Sequence, residues 1–344
     1  MKRRLLKYLV CPVCQVTPEL SVTSEAGDQT EILDGSLRCP DCRRTYPISN
    51  GIPRLVPSTL SADKQRTAAR FGWEWNHFAE MHKEHRDQFL DWIAPLQPSF
   101  FKDKVILDAG CGMGRHAYYA AEFGARDVIA MDLSQAVETA YRNIGHLPNV
   151  HVVQGDLLQP PLRRAPARPD LDFAYCIGVL HHLPDPKAGF ESIVRHLKPG
   201  GTVFAWVYGH ENNGIVHRVI DPLRKGIASR MSPRALLALS WPITAILQGL
   251  AQGVYHPARR TRLFKYLPSH AYIDSLAAFS FRHKYAIVFD HLTAPTAFYI
   301  KRPEFESWFR EFGLEEVEIS WRNENSWRGR GSQPRILATL EAAQ

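Results

Sequence analysis

Cysteine is scarce and unevenly placed: the 344 residues hold six, and four of them form two C-x-x-C pairs, Cys11/Cys14 in CPVC and Cys39/Cys42 in CPDC. Cys111 and Cys176 sit among apolar neighbours. This usage argues against a disulfide scaffold and for a reducing compartment, so the cytoplasm is expected. A leader is not read either, because MKRRLLKYLV has only a very short apolar run and no small-residue cleavage site follows it. Acidic residues are outnumbered, 35 against 42 Lys and Arg, for a formal charge of +7. That balance favours anionic partners without choosing among nucleic acid, an acidic lipid surface and a phosphorylated small molecule. At 45% hydrophobic residues the chain is not disordered, and it is long enough for one substantial core and a second, small unit.

A thioredoxin-like redox device needs one C-x-x-C at a helix start; here there are two pairs, separated by LSVTSEAGDQTEILDGSLRC, which alternates and turns like hairpins. Short strands with two cysteine-bearing knuckles predict a zinc ribbon. Cys11, Cys14, Cys39 and Cys42 would fill a tetrahedral shell, leaving no open position for a catalytic water. A unit of about 50 residues is small enough to need such a staple. Residues 7–57, with the phrase NGIPRLV, resemble the Trm112-like zinc-ribbon proteins. That resemblance implies a unit over 1–57 that supports or activates a methyltransferase partner.

Residues 58–99 read as a linker and a helical lid segment, with aromatic residues at helical spacing. Trp73, Trp75, Phe78, Phe89 and Trp92 are expected to close one face over the next unit, as core packing or, through FGWEWNHF, as part of a lid over cofactor or substrate, with Trp75 the substrate-side candidate.

KVILDAGCGMGRHAYYAAEFGARDVIAMDLS reads as a buried strand, a glycine turn, a helix and a second strand. A dinucleotide fingerprint, G-x-G-x-x-G, lacks its third glycine here, where Arg115 stands. The pattern is instead G-x-G-x-G after Asp108. An acid at that place suits the ammonium of an amino-acid moiety, and Asp132, ending the next strand, suits a pair of ribose hydroxyls.

With VVQGDLLQPPL, LDFAYCIGVLHHLPDP and HLKPGGTVFAWVYG in order behind it, the segment resembles the class I S-adenosylmethionine-dependent methyltransferases over most of residues 100–210 and the C-terminal part. The resemblance implies an α/β fold: a seven-stranded, mostly parallel Rossmann-like sheet over 100–344, its last two strands EEVEISWRN and RILATLE. It implies S-adenosyl-L-methionine as cofactor, leaving as S-adenosyl-L-homocysteine. Asp108, Gly110, Gly112, Gly114, Arg115, Asp132, Leu133, Asp156, Leu157 and Gly178 are the residues it carries to that cofactor.

The strand-four loop lacks the NPPY-type motif of adenine amino methylation, and Cys176 lacks the Pro-Cys setting of cytosine C5 chemistry, so Cys176 is a core residue. His181 is the leading base candidate, ahead of His182. Tyr208, after the fifth strand, joins it as a catalytic candidate; VFDHLTAPTAFYIKRPEFESWFREFG resembles a segment of small-molecule and sugar- or lipid-modifying members of the same superfamily, which implies acceptor-pocket places for Asp290, His291 and Tyr299, with His291 a further catalytic candidate. SWRGRGSQP reads as a glycine-rich, basic loop whose Arg328 and Arg330 either meet an anionic acceptor or stand in solvent.

Between strands five and six lies an insertion, 211–302, expected to be largely helical and to bind the substrate. Within it residues 235–258 contain no Asp, Glu, Lys or Arg. Two helices, buried or lining a greasy cavity, are the first reading of that run, ahead of a membrane-surface contact and a true span. The preferred acceptor is a small, amphiphilic or anionic organic molecule methylated at oxygen. RNA, as tRNA or rRNA, is the enzymatic runner-up, and a noncatalytic cofactor-binding scaffold the rival outside catalysis. The expected localisation is cytoplasmic, with a peripheral membrane contact left open.

Overall fold

The computed structural model describes residues 1–15, 19–164, 171–214, 218 and 220–335. Four strands form the N-terminal unit: β1 Ser21–Gly27, β2 Ile32–Arg38, β3 Thr45–Ser49 and β4 Ile52–Leu55. Seven more follow: β5 Val105–Ala109, β6 Asp127–Asp132, β7 Val150–Gly155, β8 Leu171–Ile177, β9 Leu197–Tyr208, β10 Glu315–Arg322 and β11 Ser326–Ser332. All eleven lie in one sheet, ordered β1-β2-β3-β4-β7-β6-β5-β8-β9-β11-β10.

The last seven positions of that order are the expected mostly parallel sheet, with β11 entering antiparallel between β9 and β10. The order reverses between β5 and β8, which is where an open α/β sheet opens a ligand crevice at its strand ends. β5 is buried along its whole length because both faces are covered. Val105, Leu107 and Ala109 enter one apolar cluster and Ile106 the opposite one.

One expectation for the C-terminal part does not hold. The segment read as a basic loop is strand β11, hydrogen-bonded to both neighbours, while most of RILATLE lies outside the described residues. Its glycines are structural: a Cβ on Gly329 would come within 2.6 Å of Phe309, whose helix covers this strand. Arg328 and Arg330 consequently project along the sheet, where Arg328 donates to the Ser320 hydroxyl and the Asp91 carbonyl, and Arg330 pairs with Glu318.

The ribbon is continuous with the larger sheet. β4 pairs in parallel with β7 through Arg54↔Gln154 and Leu55↔Gly155. Asp127, fully buried, receives the Tyr8 hydroxyl at 2.5 Å, the His151 ring at 3.0 Å and the Arg4 guanidinium at 2.8 Å. Burial alone would raise its carboxyl, but these donors outweigh it and hold the pKa at about 2.

The helices are α1 Ala62–His77, α2 Glu84–Ile93, α3 Arg115–Glu122, α4 Ala136–Ile144, α5 Pro186–Val194, α6 Asp221–Gly226, α7 Pro233–Leu250, α8 His270–Leu276, α9 Phe281–Thr293 and α10 Arg302–Glu311. Local chemistry sets several starts: Ser61 caps α1, and Asp185 caps α5 ahead of Pro186. The run 235–258 does not form two helices. α7 continues through a π-helical turn, Ala251–Tyr255, to Ala258, as one rod.

Candidate functional site

A cavity of about 850 Å³ opens at the β5–β8 switch point, floored by the strand ends and roofed by α1 and the insertion. At one end the glycine loop turns under it. Gly110 and Gly112 both have φ in the left-handed region, +87° and +52°, and a Cβ on Gly110 would lie 2.3 Å from Val179. Only glycine lets the loop pass so close to the strand-four loop while keeping its backbone on the cavity wall.

Asp132 stabilises this loop as well as facing the cavity. Its carboxylate accepts from the Gly112 N–H at 2.9 Å and from the Ser134 N–H and hydroxyl at 2.8 and 2.7 Å. Asp156 closes the same end; its Oδ1 accepts the Leu158 N–H, and Lys64 reaches Oδ2 at 2.6 Å from α1. Leu133, Leu157 and Gly178 complete the wall there, as expected from the sequence.

Two expected cofactor residues do not line the cavity, and a third, Arg115, lines its other end. Asp108 is buried beneath the glycine loop and does not line the cavity; burial pushes its carboxyl up to about 7. Its Oδ2 has no hydrogen-bond partner. Gly114, N-cap of α3, leaves room for Ile144 and not for a ligand.

The other end of the cavity is polar and aromatic. Arg115 lines it, its guanidinium held 5.0 Å from the Trp75 ring and 5.2 Å from Trp92. Burial lowers its pKa to about 10, while the carboxylates of Asp290 and Glu74 act the other way. Tyr208 donates to Asp290 Oδ2 at 3.4 Å, His291 meets the Tyr272 hydroxyl at 3.0 Å, and Tyr299 donates to Asp221 at 3.3 Å. Tyr208, Asp290, His291, Tyr299 and Trp75 thus come together from four separate stretches of chain. Arg328 and Arg330 do not join them.

The adjacent histidines exchange places relative to the expectation. His181 is wholly buried, stacked on Tyr208 with ring centroids 3.9 Å apart, and does not line the cavity. Burial holds it well below the usual histidine pKa. His182 is the one on the wall. Its Nδ1 lies 2.7 Å from the Thr296 carbonyl, so that nitrogen carries the proton and Nε2 keeps its lone pair. A short 3-10 turn, Leu180–His182, decides which ring faces which way.

Sequence reasoning missed Lys64 and Phe71, yet a signal was present. Residues 64, 68, 71 and 75 recur at helical spacing on α1, and all four line the cavity. Glu74, between two tryptophans, is fully buried with neither carboxylate oxygen in hydrogen-bond geometry; burial and the Asp290 charge push its pKa well up.

Remote from the cavity, Cys11, Cys14, Cys39 and Cys42 bring their sulfurs within 4.8 Å of one another. Cys11–Cys42 is 3.7 Å and Cys14–Cys39 3.9 Å. Four sulfurs about 2.3 Å from one zinc ion stand roughly 3.8 Å apart, so the group fits tetrahedral zinc. Tyr46, 3.1 Å from Cys11 Sγ, supplies an outer hydrogen bond of the kind that orients a ligand.

Residues 106–201 match the family model described as "Methyltransferase domain", and residues 2–51 match "Trm112p-like protein". A tRNA U34 carboxymethyltransferase of Saccharophagus degradans is 32% identical over 157 residues, 43% of this chain and 46% of that protein. One of Pseudoalteromonas translucida is 26% identical over 209 residues, 58% of this chain and 57% of that protein. The chain therefore spans about half the length of these two relatives. Among solved structures, a complex between the Haloferax volcanii Trm112 methyltransferase activator and a methyltransferase is similar at 14% identity and TM-score 0.44, covering 81% of this chain and 100% of that one. The residues at the glycine-loop end fit S-adenosylmethionine: a cradle that side chains would fill, an acid at the second strand end and another after the third.

Proposed function

We propose that this chain, in which a Trm112p-like unit continues the sheet of a methyltransferase domain, is an S-adenosylmethionine-dependent methyltransferase whose acceptor is tRNA. The observation that carries the acceptor class is the match to relatives named tRNA U34 carboxymethyltransferase over 58% and 43% of the chain. It overturns the sequence-based preference for a small amphiphilic acceptor. That preference leaned on the apolar run 235–258 as the wall of a greasy pocket; Ile243, Leu247 and Tyr255 do line the cavity, but Leu239, Trp241, Ile246, Leu250 and Val254 are exposed on the outside. A cytoplasmic location follows from the proposed substrate.

The cofactor supplies a methyl group on a sulfonium, open to in-line attack. Gly110, Gly112, Asp132 and Asp156 hold it at the glycine-loop end. The acceptor nucleoside enters unstacked, as base-modifying chemistry requires, against the aromatic surfaces of Phe71, Trp75 and Trp92. His182, through Nε2, takes the proton that an acceptor hydroxyl or amine must lose; Tyr208 and Asp290 orient that group. The ribbon supports the catalytic sheet from within the same chain.

Purified protein incubated with methyl-labelled S-adenosylmethionine and separate tRNA, protein and small-metabolite fractions is expected to label tRNA. Label confined to the metabolite fraction would overturn the acceptor; none anywhere would favour a noncatalytic scaffold. Asp132→Ala is expected to weaken S-adenosylmethionine binding at least about tenfold, since hydrogen bonds to a charged group contribute about 1.5–3 kcal/mol each. Titration calorimetry giving the wild-type affinity would remove Asp132 from the cofactor site.

A further inference from the structure

α7 turns its polar side inward. Ser240 and Thr244 are 0% exposed, and they tolerate burial because each hydroxyl donates one turn back, to Leu236 O at 2.8 Å and Ser240 O at 2.7 Å. Their small side chains let α7 lie close to α9, where the Tyr285 hydroxyl donates to the Leu237 carbonyl at 2.9 Å. The opposite stripe is aliphatic and open: Leu239, Ile246, Leu250 and Val254 are 38, 65, 41 and 46% exposed. They recur every seven or four residues, on one line down the rod. Past its end Leu263 and Tyr266 are more exposed still, at 70 and 74%. A soluble face has no reason to collect its largest apolar side chains outside while burying hydroxyls.

Charge around this stripe has one sign. From Pro222 to Ile273 the sequence contains no Asp or Glu, and eight Lys and Arg. Arg234 stands at the start of α7, and Arg259, Arg260, Arg262 and Lys265 follow its end; all five are exposed. Among the described residues none of the five forms an ion pair, although acids elsewhere on the surface are paired freely.

We propose that this face is a peripheral membrane contact: α7 lies in the headgroup region of an anionic bilayer, its aliphatic stripe in the acyl boundary and the five cations on lipid phosphates. The arrangement matches what an interfacial helix needs, an apolar face with basic residues at its margins and a length independent of bilayer thickness. Charge selects the occupant. In a second copy packed antiparallel through the same stripe, Arg234 would face the partner's Arg259 and Arg260, where like charges repel. RNA would leave the aliphatic stripe wet, because single strands are held by basic grooves with aromatic platforms, and the exposed rings of this region, Trp241 and Tyr266, do not stand on the stripe of Leu239, Ile246, Leu250 and Val254. The rod Pro233–Ala258 is long and apolar enough to cross a membrane, but spanning would expose the buried Ser240 and Thr244 and break the Tyr285–Leu237 hydrogen bond that ties α7 to α9.

Vesicle flotation of the full chain tests this, and it is independent of the acceptor assigned above. The protein is expected to float with vesicles of phosphatidylcholine and phosphatidylglycerol in equal parts, to stay behind with phosphatidylcholine alone, and to lose binding as salt is raised. The double variant Ile246→Glu, Leu250→Glu should float at least about tenfold less, since each side chain gives up apolar burial in the bilayer. Each Arg→Ala change at Arg259 or Arg260 should cost about fivefold, the equivalent of about 1 kcal/mol per cation at an anionic surface. Unchanged thermal unfolding and S-adenosylmethionine binding in these variants would show that the fold survives. The proposal is overturned if the chain stays at the bottom with anionic vesicles, or if flotation is indifferent to the double variant. A dimer in sedimentation that the double variant abolishes would overturn it too, assigning the face to a second copy.

Discussion

Replacing Cys39 by serine is expected to lower the unfolding temperature of the whole chain by about 10 °C or more and to remove its bound zinc. Structural zinc in small peptides contributes about 10–16 kcal/mol of folding free energy, comparable to the entire stability of a typical domain. A shift of about 2–4 °C accompanies each kcal/mol in domains of a few hundred residues, so even part of that loss is large. The loss does not stay in the ribbon. β4 is the parallel neighbour of β7, and Tyr8 and Arg4 bring donors to the buried Asp127 carboxylate. An unfolded ribbon would leave Asp127 charged with fewer donors and β7 with an open edge, both costly. One cooperative transition is therefore expected in calorimetry, moved down as a unit. Wild-type unfolding in a variant shown by elemental analysis to be zinc-free would refute the structural role.

His182→Gln is expected to reduce kcat on the proposed tRNA acceptor by about 10²-fold or more, the ordinary contribution of a positioned base. Cofactor affinity should be unchanged, because His182 stands at the acceptor side of the cavity. The pH dependence has a definite sign. Burial lowers the pKa of His182, Arg224 and His291 lower it further, and Asp290 and the Thr296 carbonyl oppose them without reversing the shift. The neutral, proton-accepting ring therefore predominates through neutral pH, and the rate should decline only below the ordinary histidine value of about 6.5. A variant with wild-type kcat, or an acidic limb centred above that value, would assign proton removal to another group. His181→Gln separates the two neighbours: its effect should appear in thermal stability and only weakly in kcat.

Legibility in the sequence followed the range of the interaction. The two C-x-x-C pairs, the glycine turn behind a buried strand, and the acids closing β6 and β7 are local patterns, and each found its expected structural place. Where a partner lies far along the chain, local reading failed. SWRGRGS looked like a loop because its glycines suggest turns; they are there because Phe305 and Phe309 press on that strand. Lys64 meets Asp156 across 92 residues, a pairing no local pattern announces.

Composition and local periodicity thus determined the parallel core strands and their helices, the pairing of the four cysteines and the glycine loop, because backbone geometry and ligand spacing act over a few residues. Only the tertiary structure decided which of two adjacent histidines faces the cavity, how the ribbon joins the catalytic sheet, and which side of α7 is outside. Those outcomes depend on what packs opposite each residue: Tyr208 on His181, β7 on β4 and α9 on Ser240 and Thr244. An apolar run without charges has the same sequence whether its large side chains line a pocket or face outward.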